Sequence, residues 1–193
     1  MNVPELIQRL WRKARIILPD PAAVLRRLVW QIRGAQVGRW TKLPKCMVTW
    51  PHQVRLGENC VLQPGIFFNF DHYWMPGPSI IVGDRVFIGK DVEFNCRKSI
   101  TVGDDSLIGA GCHLIDSDHG TDPGCLMRSV EPVTAAISIG KGVWLGVNVI
   151  VLKGVKIGDG AVIGAGSVVT KSVPPGEIWA GSPAKCLRSR DAR

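Results

Sequence analysis

A hydrophobic residue recurs every six positions through most of this chain. From Val82 on, the anchors are Val82, Ile88 and Phe94, then Val102, Ile108 and Leu114, then Ile139, Leu145, Val151, Ile157, Ile163 and Val169. A second slot, small or β-branched, keeps step with them at Val86, Val92, Ser106, Cys112, Val143, Val149, Val155, Ala161, Ser167 and Val173. Strands repeat at two and helices at 3.6, so a strict six fits neither alone. It fits short strands joined by tight corners and stacked rung upon rung.

A longer period lies inside the first. Gly follows the anchor at 83, 89, 103, 109, 140, 146, 158 and 164, but Asn95, Ile115, Leu152 and Thr170 stand there on every third hexad. The repeat is therefore 18 residues and three faces, with Gly read as the corner-forming residue on two of them. Leu56-Gly57, Leu62-Gln63 and Phe68-Asn69 extend the phase backwards as a weaker coil. The count slips by eight residues between Phe68 and Val82, by two between Phe94 and Val102, and by nineteen between Leu114 and Ile139. All three slips follow the third face, so the insertions leave one corner of a stacked prism, and insertions gathered on one face often mark the binding side. The longest opens with Asp116-Ser117-Asp118-His119-Gly120. Long loops in compact domains are usually functional.

The chain resembles the hexapeptide-repeat acyltransferases over roughly residues 56–188. The likeness is strongest at Ile139-Gly-Lys-Gly-Val-Trp144-Leu-Gly, Gly154-Val-Lys-Ile-Gly-Asp159, Val162-Ile-Gly-Ala-Gly-Ser-Val-Val-Thr-Lys171 and Ala180-Gly-Ser-Pro-Ala-Lys185. It is most similar to the branch that O-acetylates sugars, the maltose and galactoside acetyltransferases and enzymes of surface-polysaccharide assembly. The resemblance implies an all-β fold: a left-handed parallel β-helix of about five 18-residue coils. An N-terminal helical segment would precede it, and a long loop would follow the third face. It also implies an acetyl-CoA-dependent O-acetyltransferase that works as a homotrimer, with active sites between adjacent prisms. The expected division is a basic helical segment at 1–45, the β-helix at 46–188 with loop 116–138, and a tail at 189–193.

Composition narrows the partners. Mean hydropathy is +0.13 and 46% of residues are hydrophobic, which suits a packed protein. No run is long and apolar enough for a transmembrane helix, and no signal-peptide core is present. Six Cys form no CxxC pair; Cys60 and Cys112 sit in the small-residue slot as core thiols. A reducing cytoplasm, at the inner face of the membrane if the basic segment binds lipid, is the expected location.

The net charge of +8 belongs to one end. Residues 1–45 hold ten Lys or Arg against Glu5 and Asp20, and the remaining 14 basic and 14 acidic residues cancel. Two helices are predicted there. Leu6, Ile7, Leu10, Trp11, Ala14, Ile17 and Leu18 share one face of the first. The second has Asp20 as cap, Pro21 in its first turn, Gly34 at its end, and the stripe Val24, Leu25, Leu28, Val29 and Ile32. They either cap the open end of the β-helix or lie on an anionic membrane. No motif supports nucleic-acid binding.

Acyl transfer from a thioester to a hydroxyl requires removal of the hydroxyl proton as the new bond forms, a task suited to His. Of His52, His72, His113 and His119, only His119 stands where the long break in the repeat begins. In the similar acetyltransferases a His at this point is the general base. Asp116 or Asp118 either orients the imidazole or holds the turn. Asn95 and Asn69 stack beneath the same corner by phase; the resemblance implies that Asn95 contacts the acceptor, and Asn69, at the equivalent position one coil earlier, is a candidate for the same contact. Phe70, His72, Tyr73 and Trp74 form either a carbohydrate-stacking wall or loop anchors. The outward Trp144 matches a Trp bordering the family's site. Val147, Ala165, Thr170, Lys171, Lys185 and Arg188 fall at its coenzyme-contacting positions, the three cations being suited to phosphates. No Ser or Cys nucleophile stands in a motif, so direct attack without an acyl-enzyme is expected. No metal is expected, since a zinc site of the carbonic-anhydrase kind needs three convergent His. A non-sugar acceptor, such as an amino acid or antibiotic, and a non-catalytic scaffold are the remaining alternatives.

Overall fold

The computed structural model describes residues 21–191. The first of the two predicted helices lies outside them, as does Asp20. The rest is a parallel β-helix with three faces, each a stack of short strands in register.

The first face stacks Gln36–Val37, Val54–Leu56, Ile80–Val82, Ile100–Val102, Ile137–Ile139 and Lys156–Ile157. The second stacks Val61–Leu62, Phe87–Ile88, Leu107–Ile108, Trp144–Leu145, Val162–Ile163 and Glu177–Gly181, and the antiparallel strand Ala184–Ser189 closes it. The third stacks Met47–Val48, Phe67–Phe70, Glu93–Cys96, His113–Ile115, Ile150–Leu152 and Val168–Val169. Pairing runs between coils and not along the chain. Phe68 faces Phe94, Ile115 lies between Asn95 and Leu152, and Leu107 lies between Phe87 and Trp144.

Every anchor of the six-residue repeat from Val82 to Val169 is buried, and so is every member of the second slot, including the hydroxyls of Ser106 and Ser167. Ser106 Oγ donates to Gly140 O (3.0 Å) and accepts from Val143 N (3.2 Å), so each buried hydroxyl sews one coil to the next. Phe68 and Phe94 stack at 5.1 Å within the core.

Two expectations change. The conserved-phase glycines do not supply the unusual corner dihedrals. At Gly103 and Gly109 a Cβ would come within 2.6 Å of the backbone carbon of Gly140 and Gly146 on the next coil. They are glycines because stacked corners approach too closely for a side chain. The left-handed dihedral falls two residues later, at Asp105 (φ 59°) and Gly111 (φ 67°).

The β-helix also begins earlier than residue 46. Gln36–Val37 pairs with Arg55 and Leu56, Lys42 bridges Val61, and Met47–Val48 pairs with Phe67 and Phe68. Residues 36–48 are thus a further coil inside the segment assigned to helices. Its anchors Val37, Leu43 and Val48 are spaced six and five, and that one-residue deletion breaks the period.

The second helix spans Pro21–Ile32 and is designated α1. Along the faces, backbone N–H and C=O groups alternate toward the coils on either side: Gly38, Gly57 and Gly83 donate to Leu56, Val82 and Val102 of the following coil, and Ile100 and Ile137 donate to Ser79 and Ser99 of the preceding one. The first coil therefore leaves carbonyls pointing out of the open end, where they need donors. Arg26 Nε donates to Leu43 O (3.0 Å), and Arg27 Nη2 donates to Val37 O (3.1 Å) and Nη1 to Thr41 O (3.4 Å). Trp30 plugs the core, its ring edge-on to Phe68 at 5.9 Å. So α1 caps the prism through arginines and one Trp. Its predicted apolar stripe of Val24, Leu25, Leu28, Val29 and Ile32 points away and is exposed.

Candidate functional site

The three insertions leave the third-face corner, after Phe70, after Cys96 and after Ile115. Above them the same corner carries Lys153 on the next coil and Thr170 and Lys171 on the one after. The walls of the candidate site grow from this column.

Asp116 begins the long loop and is fully buried. Its Oδ1 accepts the backbone N–H of Arg97 (2.7 Å), and its Oδ2 accepts those of Lys98 and Ser99 (2.8 Å each). Asp116 is a clamp on the short insertion of the coil below. Of its two readings, the geometry is that of holding a turn; its oxygens do not reach His119. Burial, helped by the same carboxylate, pushes the Cys96 thiol well above its ordinary range. Asp118 is engaged elsewhere, its Oδ2 lying 2.8 Å from Lys153 Nζ. Ser117–Asp118 then pairs antiparallel with Val133–Thr134, so the loop folds back on itself at its base. That closed base holds the next residue, His119, exposed at the rim.

Two cavities meet at His119. The larger, ≈ 610 Å³, is lined by Thr49, Trp50, Asn69, Phe70, Asp71, His72, Tyr73, Arg97, His119 and residues 128–132 of the loop. The smaller, ≈ 230 Å³, is lined by Asp71, Asn95, Arg97, Ile115, Ser117, Asp118, His119 and Pro132. Asn69 and Asn95, one residue over the other in register, thus open into the two cavities that share His119. Their amides offer both donor and acceptor groups to a hydroxylated ligand. Arg97 stands between the cavities, its Nε donating to Asp71 O (2.7 Å) and Asp71 Oδ2 (3.1 Å). This pair straps the first insertion to the second.

The aromatic residues of the first insertion divide. Phe70 is a buried anchor, His72 and Tyr73 are exposed and line the larger cavity, and Trp74 lies against His52 with ring centroids 5.8 Å apart.

Other predicted residues lie apart from His119 on a single chain. Trp144 is 53% exposed on the outer side of the second face, between Leu107 and Val162, and lines neither cavity. Val147 and Ala165 sit at the second corner, where Ala165 stacks beside Gly146 and Gly166 N donates to Val147 O (2.9 Å). Thr170 and Lys171 are exposed at the third-face corner, and Lys185 and Arg188 lie on the closing antiparallel strand. His113 points outward with Nδ1 3.0 Å from Glu93 Oε2, while Cys112 beside it points into the core. His113 belongs to a third-face strand. Among the described residues no three His, Cys, Asp or Glu side chains converge on one point.

Arg97, Asp71 and Lys153 escaped the sequence reading, although each directly follows a third-face strand and shares the corner that singled out His119. Thr49 and Trp50 escaped because the coil that carries them is masked by its shortened hexad.

Residues 136–171 match the bacterial transferase hexapeptide model (six repeats), and residues 79–114 match the hexapeptide repeat of succinyl-transferase. A protein of Escherichia coli K12 assigned as a lipopolysaccharide biosynthesis O-acetyl transferase is 34% identical over 154 residues, covering 74% of this chain and 75% of that one. The galactoside O-acetyltransferase of the same organism is 33% identical, covering 72% and 64%. A hexapeptide-repeat acetyltransferase of Vibrio cholerae, solved with acetyl coenzyme A, superposes with a TM-score of 0.65 at 29% identity, covering 91% of this chain and 81% of that chain. The chain belongs to the hexapeptide-repeat acyltransferase family, and its fold is the left-handed parallel β-helix. It spans 64% of the galactoside O-acetyltransferase and 58% of a Mycobacterium tuberculosis protein assigned as an acetyltransferase, which is 29% identical.

Proposed function

We propose that this chain transfers the acetyl group of acetyl-CoA to a hydroxyl of a saccharide in the assembly of a polysaccharide or glycolipid. The observation that carries the reading is the placement of His119 at the junction of two cavities, with Asn69 and Asn95 stacked beneath it. His119 takes the proton of the acceptor hydroxyl as its oxygen attacks the thioester carbonyl. The carbonyl pair moves onto oxygen, where a backbone N–H stabilises it. Collapse expels coenzyme A as thiolate, which recovers the proton from the imidazolium and leaves as thiol. No enzyme side chain is acylated. The two amides hold the acceptor, and His72 and Tyr73 offer ring faces to a sugar.

Donor contacts are assigned to Val147, Ala165, Thr170, Lys171, Lys185 and Arg188, with the cations on phosphates. These residues and Trp144 stand outside both cavities of one chain. A homotrimer with sites between prisms joins them. The second face supports that assembly: its outward residues Val61, Phe87, Leu107, Trp144, Val162 and Ile178 form one apolar column in register. The first face instead shows the mostly polar column Arg55, Ile81, Thr101, Ser138 and Lys156. A large apolar column asks for a partner, and a ring of three closes such a heterologous contact. Among the described residues no helix is long and apolar enough to cross a membrane. We place the reaction on the cytoplasmic side, where acetyl-CoA is available.

The test is release of coenzyme A thiol from acetyl-CoA across a panel of mono- and oligosaccharides. Turnover with at least one sugar is expected; turnover only with amines or amino acids contradicts the acceptor assignment.

A further inference from the structure

We propose that the outward face of α1 seats the open end of the β-helix on an anionic lipid bilayer. An ordinary surface helix turns its apolar stripe to the core and its charges to water. This one is reversed. Arg26 and Arg27 face inward to the carbonyls of the first coil, while Leu25, Leu28 and Ile32 are 61%, 53% and 77% exposed. The reversal follows from the cap, because the carbonyls of Val37, Thr41 and Leu43 face the open end and need donors. What remains, among the described residues, is an exposed aliphatic face on a helix of 12 residues.

A second feature of the same coil points the same way. Trp40 takes φ 63° at the corner where the later coils carry Asn59, Arg85, Asp105, Gly142 and Gly160. A bulky residue is costly in that conformation, and Trp40 gains no core contact for it, being 78% exposed. Trp at a lipid headgroup surface sets its ring in the apolar layer and its N–H toward water.

Charge chooses the occupant. Residues 21–45 contain six Lys or Arg and no acidic residue, and Arg33, Lys42 and Lys45 are exposed. Arg39 is paired with Glu58 at 3.1 Å. An aliphatic face rimmed by cations matches anionic lipid. A second copy meeting it across a two-fold axis would bring the same cations together. The surface also continues to the site. The C-terminal end of α1 meets His52, where a Cβ on Gly34 would lie 2.8 Å from His52 Cβ, and the neighbouring Trp50 lines the larger cavity. Seated on lipid, the prism holds the mouth of that cavity toward the bilayer.

The full chain is mixed with phosphatidylcholine vesicles, with or without phosphatidylglycerol, and floated through a density gradient. Wild type is expected to float with the anionic vesicles, and Leu25→Ser/Leu28→Ser/Ile32→Ser to lose at least about tenfold of that fraction. The triple variant's melting temperature and thiol release with a soluble sugar are expected to match wild type, which separates this surface from the acyl-transfer reading. Wild type that stays down with both vesicles overturns the proposal. So does a triple variant that floats like wild type, which would assign binding to residues 1–20. A wild-type mass above that of the triple variant, without flotation, would assign the face to a second copy.

Discussion

Asp118 and Lys153 form an ion pair 2.8 Å apart that ties the residue before His119 to the coil above it. The carboxylate is thereby held away from the imidazole and fixes the base of the loop. Asp118→Asn and Lys153→Ala should each lower kcat/KM about tenfold by loosening His119, with the double variant no worse than either single one. The stability effect of so exposed a pair should stay near 0.5 kcal/mol. Steady-state kinetics on the four proteins checks the cycle; additive losses would show that the two residues act separately.

Asp116 should behave as a structural residue. Its buried carboxylate accepts three backbone N–H groups, and Asp116→Ala leaves all three without a partner. A loss of about 3 kcal/mol or more is expected. Asp116→Asn, which keeps one acceptor oxygen, should recover part of it. Denaturant titration measures both.

The six thiols should separate by reactivity. Cys125 and Cys186 are exposed, while Cys60, Cys96 and Cys112 are buried and burial pushes their thiols upward. Cys46 is pushed up to about 12 by burial. Because the thiolate is the reactive form, a raised value leaves little of it at neutral pH. Ellman's reagent at pH 8 should label Cys125 rapidly, Cys186 more slowly because desolvation and the neighbouring Glu177 push its thiol upward as well, and the other four only on denaturation.

Light scattering on the eluted protein should give the mass of three chains. Leu107→Glu, placed in the apolar column of the second face, should shift it toward one chain and reduce turnover, since the donor and acceptor halves of the site would part.

The scaffold was legible because it repeats. Each coil must bury the same slots, so Val82 through Val173 could be assigned inward from spacing alone. The site was legible only where it broke the repeat: the phase placed Asn69 and Asn95 under the corner that carries His119. Orientation within the loop was not, because Asp116 and Asp118 are alike in sequence and differ only in what each meets, three amides in one case and Lys153 in the other. The direction of α1 was hidden for a similar reason. Its stripe gives the period of an amphipathic helix, but only the first coil's outward carbonyls explain why arginines turn inward. That coil was itself obscured by a single missing residue between Leu43 and Val48.

The central claim is that His119 removes the acceptor proton. Thiol release from acetyl-CoA, measured with the preferred sugar for wild type and His119→Ala, tests it directly. The variant should keep its fold and lose at least about a hundredfold in kcat; turnover equal to wild type would contradict the assignment.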